Sequence, residues 1–182
     1  MSNFTTHTID SAPEKSKPIL EAAQKEMGFV AGLYAVMAES PETLKGYKQL
    51  HHLFTSTSFN AEELTVVWQT INVEHECHYC VPAHTAIAHS MNVDPALTEA
   101  LRNREPMPTP KLQALHDFTL AIVRQRGNVS EDQMNSFFAA GYGQQQVLEV
   151  ILGLAQKVLS NYVNHVAQTD VDPAFQDFAW TK

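Results

Sequence analysis

The chain has 182 residues and a net charge of −8 at pH 7. That is long enough for one domain with a sizeable core, and an acidic chain without a basic stripe excludes a nucleic-acid partner. No apolar run approaches the ~18 residues that a membrane span needs, and residues 1–10 lack the apolar stretch of a signal peptide, so a cytoplasmic protein with no membrane partner is expected.

Taken in order, residues 1–10 read as a loose arm. Ser11-Ala12-Pro13-Glu14 has the pattern of a capping box with an early proline, so a helix is expected to start there and to stop at Gly28. A short apolar helix is expected over residues 31–38, with Leu33, Tyr34, Val36 and Met37 in the core. Ser40-Pro41 opens a third helix, in which Leu44, Tyr47, His51 and Phe54 recur at helical spacing. Asn60-Ala61-Glu62-Glu63 is a second capping box, and Leu64, Val67, Trp68 and Ile71 give the buried face that follows. Asp94-Pro95, Thr109-Pro110 and Ser130 mark three further starts. A long helix is expected from about Gln144 to Ala167, with Val147, Ile151, Leu154 and Val158 along one stripe, as core or subunit interface. The tail holds Phe175, Phe178 and Trp180, enough aromatic surface to dock on its own subunit or a neighbour. No strand alternation and no glycine-rich phosphate loop appear. The expectation is one all-α domain over residues 1–182, with eight or nine helices around one core.

Chemistry concentrates where two of these helices meet. Glu74-His75-Glu76-Cys77-His78-Tyr79-Cys80-Val81-Pro82-Ala83-His84 contains both cysteines and three of the nine histidines. Two close cysteines in such a chain favour redox or metal chemistry over a disulfide scaffold. Pro82 is tolerated only near a helix start, which places that start between residues 75 and 79 and the cysteines beside its unpaired N–H groups and positive dipole end. A thiolate is stabilised there. Cys80 and His84 lie on one face, about 6 Å apart along the axis, so the histidine can exchange a proton with the thiol. Cys77 shares that face. The simplest reading is a redox pair in which one cysteine attacks, the other resolves and His84 moves the proton. Glu74, three residues before Cys77, would face it and steady a nearby histidine. A zinc site would need a fourth, distant ligand beyond Cys77, Cys80 and His84, and two inert buried cysteines are the structural reading. Val81 after the second cysteine excludes covalent haem.

Cys77-His78-Tyr79-Cys80-Val81-Pro82-Ala83-His84, following the helix that opens at Asn60, resembles the carboxymuconolactone decarboxylase superfamily, and within it the alkylhydroperoxidase D-like, peroxidase-related branch. Residues 29–41 and 159–165 resemble that branch as well. The resemblance implies an all-α homo-oligomer, a trimer or hexamer. It also implies a thiol-dependent hydroperoxide reductase of antioxidant defence that uses no metal or organic cofactor. Carried over by position, Cys80 meets the hydroperoxide, Cys77 closes the disulfide, a small thiol or protein reductant reopens it, and His84 belongs to the proton relay. Two positions depart from the pattern. Thr65 stands where the relay glutamate is expected, leaving Glu74, or else Glu63, as the substitute. Tyr79 stands before the second cysteine where the best-known members carry histidine. A non-catalytic thiol switch and a lactone decarboxylase are the alternatives.

Overall fold

A computed structural model describes residues 3–181. Among them lie nine α-helices and no strand: α1 (Lys17–Met27), α2 (Gly32–Met37), α3 (Pro41–Thr55), α4 (Ala61–Glu74), α5 (Cys80–Ser90), α6 (Pro95–Asn103), α7 (Pro110–Gln125), α8 (Glu131–Ala139) and α9 (Gln144–Ala167), closed by a 3₁₀ helix, Pro173–Phe178. The all-α expectation holds. Local chemistry sets most boundaries. Ser40 accepts from the Thr43 N–H at the start of α3, Asn60 and Glu63 cap α4 reciprocally, and Asp94, Thr109 and Ser130 cap α6, α7 and α8. Gly28, at φ 84°, takes the left-handed conformation that ends α1.

Two expectations at the N-terminus are corrected. The Ser11 capping box does not form. The Ser11 hydroxyl accepts from the Thr8 N–H in a tight turn, and α1 begins only at Lys17, with Pro18 in its first turn. The arm is also not loose over its described residues. The His7 N–H donates to the Ala35 carbonyl at 3.1 Å, and its ring meets Glu39 at 2.6 Å. Residues 1 and 2 lie outside the described residues.

α4 is the axis of the fold. Residues 63–73 are all buried, because α5, α6, α7 and α9 surround it. A helix hidden on every side belongs to the interior. On one flank Phe54, Trp68, Ile71, Leu97, Leu115, Phe118 and Phe137 form the larger core. On the other, Leu20, Leu33, Tyr34, Met37, Leu44 and Tyr47 close around both cysteines. Each such side chain contributes about 1.5–3 kcal/mol by leaving water.

α9 is correct in extent, and the expected stripe is divided: Val147 and Leu154 pack against the larger core, while Ile151 faces outward. Ile151 is 44% exposed and Leu148 67% exposed, while the buried face carries Val150, Gly153, Gln156, Lys157, Ser160, Asn161, Asn164 and Ala167. Apolar residues occur on almost every side of this helix, so hydrophobicity alone does not choose its inner face. Gly153 does. A Cβ there would lie 2.6 Å from Phe54 Cε2 and 2.9 Å from Val67 Cγ1, so only glycine lets α9 approach α3 and α4 this closely. The tail docks on its own chain. Phe175 packs edge-on against Phe29 and Tyr79, Trp180 donates to the Arg102 carbonyl at 3.2 Å, and Asp172 accepts from the Gly32 N–H and the Tyr79 hydroxyl. No described helix is long and apolar enough to cross a membrane.

Candidate active site

The chain reverses sharply between α4 and α5. Glu76 takes a left-handed φ of 55°, and the Cys77 N–H returns to the Asn72 carbonyl at 3.0 Å, a helix end usually built with glycine. α5 then starts at Cys80 with no side-chain oxygen as cap. The Cys77 sulfur fills that role, accepting from the Cys80 N–H at 3.3 Å. The sequence spacing therefore placed the cysteines correctly at a helix start, one turn apart. Both are free thiols and both are buried.

Two helices supply polar groups to Cys80. From α9, Asn164 Nδ2 donates to Cys80 Sγ at 3.2 Å, and the Ser160 hydroxyl stands 4.0 Å away. From α4, Asn72 Nδ2 reaches the Cys80 carbonyl at 3.3 Å, while its Oδ1 accepts from Asn161 at 3.0 Å. Asn161 is held in turn by His75 at 2.9 Å. His84, one turn into α5, lies against Trp68 and meets Lys157 Nζ at 2.8 Å through Nε2. His84 Nδ1 is buried without a hydrogen-bond partner among the described residues.

Burial alone would raise the Cys80 thiol. The Cys77 thiol, the Lys157 charge and the amides of Asn164 and Asn161 outweigh it and hold Cys80 well below its ordinary value. Its neighbour moves the other way: donation to Cys80, burial and the Cys80 charge all push Cys77 up. The pair thus divides into a thiolate and a proton-bearing thiol. Burial, and then the Lys157 charge, keep His84 neutral.

Glu74 is not brought to this cluster. Its carboxylate forms a two-pronged pair with Arg124 at 2.7 and 2.9 Å, which lowers its affinity for protons. Three-residue spacing puts side chains on one face only within a continuous helix, and the turn at Glu76 breaks that continuity. Glu63 is likewise occupied by Lys111, Tyr142 and the α4 cap, and Thr65 bonds back to the Ala61 carbonyl. Among the described residues no three His, Cys, Asp or Glu side chains converge as metal ligands. His78 turns instead to the Thr169 carbonyl. Lys157 escaped the sequence reading, and Ser160, Asn161 and Asn164 entered it only as part of the 159–165 resemblance, with no role at the thiols. Their signal was a polar series at three- and four-residue spacing inside an otherwise apolar helix.

A small cavity of about 60 Å³ opens onto the thiolate. Cys80, His84 and Lys157 line it together with Tyr34, Tyr47, Tyr79, Phe175, Leu33, Ile87 and Met27. Beyond it, His51 stacks on Trp68 and receives a hydrogen bond from Gln156. Burial and the nearby lysines lower its pKa from 6.5 to about 4. Its folded-state value lies below its unfolded one, so the unfolded chain takes up the proton first as pH falls. Stability is complete above the unfolded value and drains away on acidification from 6.5 towards 4. At pH 5 this histidine alone should cost about 2 kcal/mol. Urea midpoints at pH 7.5 and 5 test this. The fall between them should shrink in His51→Gln, and an equal fall in both proteins would contradict a neutral buried His51.

No protein-family model matches the sequence, and no curated protein is significantly similar to it. Solved structures are similar in fold. A peroxidase-related protein with an alkylhydroperoxidase core from Ralstonia eutropha JMP134 superposes with a TM-score of 0.84 at 18% identity, over 96% of this chain and 94% of that one. The fold is that of the alkylhydroperoxidase D-like proteins. A second peroxidase-related protein, from Silicibacter sp. TM1040, gives 0.80 at 16% identity, over 95% and 94% of the two chains. The debrominase Bmp8, as a cysteine-to-alanine variant in complex with 2,3,4-tribromopyrrole, gives 0.80 at 14% identity, over 97% and 95%.

Proposed function

We propose that the protein is a thiol-dependent hydroperoxide reductase in which Cys80 is the peroxide-reactive cysteine and Cys77 the resolving one. The observation that carries this reading is the set of donors at Cys80: Asn164 Nδ2 lies 3.2 Å from its buried sulfur and Lys157 lines the same cavity, which favours the anion at Cys80 and leaves the proton to Cys77. The Cys80 thiolate attacks the outer peroxide oxygen, the O–O bond breaks, and a sulfenic acid forms. Cys77 then attacks the Cys80 sulfur, water leaves with the Cys77 proton, and a disulfide remains. A dithiol or protein reductant restores the pair. The alkylhydroperoxidase D-like fold supports the assignment, as does a cavity that opens directly onto Cys80. The cavity has room for about two water volumes. It therefore suits hydrogen peroxide or another small hydroperoxide. Assembly as a homo-oligomer, trimer or hexamer, belongs to the same proposal.

The test is stoichiometric. Fully reduced protein mixed with hydrogen peroxide or a small alkyl hydroperoxide should lose two thiols per peroxide consumed. Thiols that survive a large excess would end the reductase reading and leave a slow redox switch. A second reading, reductive dehalogenation, is favoured by the aromatic cavity walls and the likeness to the debrominase. The same thiolate would take the halogen from a haloaromatic, Cys77 would displace halide, and the ring would gain a proton. Halide release from a bromopyrrole, measured in parallel, separates the two.

A further inference from the structure

Lys157 is the one fully buried lysine among the described residues, at 0% exposure. A lysine is almost never fully buried unless it is paired, because an ammonium out of water needs a counter-charge. The groups around it are therefore decisive. α5 presents Cys80 and His84, and the turn before it presents Cys77 and Tyr79. α3 presents Tyr47 and His51, α2 presents Tyr34, and α4 presents the neutral Trp68. No carboxylate lines the cavity, and Asp172 is turned to the Gly32 N–H and the Tyr79 hydroxyl. The anion left to balance Lys157 is the Cys80 thiolate. Disulfide formation abolishes that anion.

We propose that Lys157 is protonated only while the cysteine pair is reduced, and that its proton goes to the oxygen leaving the peroxide. The proposal rests on the reductase reading for the destination of the proton and not for the change of charge. As Cys80 sulfur bonds to the outer oxygen and the O–O bond breaks, the departing alkoxide or hydroxide takes a proton from Lys157 Nζ. This yields an alcohol or water and a neutral amine. Cys77 sulfur then displaces hydroxide from the sulfenic acid, and the Cys77 proton leaves with it as water. One peroxide is reduced, two sulfurs are oxidised, and both required protons come from Lys157 and Cys77. An external dithiol, on reducing the disulfide, returns one proton to each. His84 Nε2, 2.8 Å from Nζ, accepts from the ammonium and aims it, as a positioning residue. A basic side chain thus does the work expected of a glutamate at the position of Thr65.

The experiment is carbon NMR of protein labelled at lysine Cε, whose shift reports amine protonation. The Lys157 resonance is identified by its loss in Lys157→Met or Lys157→Gln. Spectra at pH 7 are compared for the reduced protein and for protein oxidised with diamide, so that no peroxide is involved. We expect an ammonium shift when reduced, an amine shift when oxidised, and reversal with dithiothreitol. An unchanged charge state in the two forms would overturn the proposal. If neither variant folds, the wild-type spectra still decide, because the lysine in question is the one that responds to oxidation, and no responding resonance is a negative result. A thiol that ignores peroxide while the diamide shift persists would refute the reductase reading and leave the charge coupling intact. For proton delivery, Lys157→Met should slow reaction with an alkyl hydroperoxide about a hundredfold or more. It should slow reaction with a peroxyacid much less, since a carboxylate leaves without a proton. Equal losses with both oxidants would reduce Lys157 to a counter-ion and refute the delivery step.

Discussion

Cys80→Ser should abolish peroxide-driven thiol loss, a fall of roughly 10⁴-fold or more, as when a nucleophile is removed elsewhere. The argument is electrostatic. Asn164 and Lys157 stabilise an anion at this position, and a serine hydroxyl does not ionise at neutral pH, so the site retains its donors but has no nucleophile. Cys77→Ser should behave differently. A serine hydroxyl can still donate to the Cys80 thiolate, so the first step should survive, but the sulfenic acid then has no partner. One thiol is lost per peroxide, and dimedone captures the product. If Cys80→Ser retained activity while Cys77→Ser lost it, the roles of the two cysteines would have to be exchanged.

Gly153→Val should produce the largest loss of stability, about 3 kcal/mol. The space a side chain would need is already filled by Phe54 and Val67, both fully buried. Phe54 itself packs between Phe59 and Trp68, so it has little freedom to yield. The denaturant midpoint should fall with an unchanged slope. Lys157 is one turn further along α9, and the displaced helix would carry it and Asn164 away from Cys80, so the thiolate should be lost along with the stability. A variant of wild-type stability would show that α9 can move away from α3 without cost, and that glycine is not what fixes its inner face.

Helix boundaries were largely legible because caps act over three or four residues. Asn60 with Glu63, Ser40 with Pro41 and Gly28 each work through their own local backbone. The same locality explains the failure at Ser11, whose hydroxyl accepts from the Thr8 N–H three residues back in place of the Glu14 N–H three residues on. Cys77, Cys80 and His84 were legible as a group because Cys77 caps the start of α5 at Cys80 and His84 follows one turn later. Glu74 looked equivalent, but the left-handed Glu76 separates it from them and Arg124 takes its charge. The contacts that give the site its chemistry were not legible, although Asn164 lies in the 159–165 segment picked out by resemblance. Lys157 is 73 residues from His84, and Asn164 is 84 residues from Cys80. Only the packing of α9 brings them in, and the residue that permits that packing is a glycine with no chemistry of its own.

That separation matters while the protein is being made. At about 5–20 residues per second, on the order of ten seconds pass between synthesis of Cys80 and of Asn164. During that time the cysteines lack the lysine and the amides, so they are ordinary, mostly protonated thiols. On the proposed reading, the order in which the parts emerge shields the nascent chain from premature oxidation, since the groups that would activate the thiol arrive only when the fold is nearly complete.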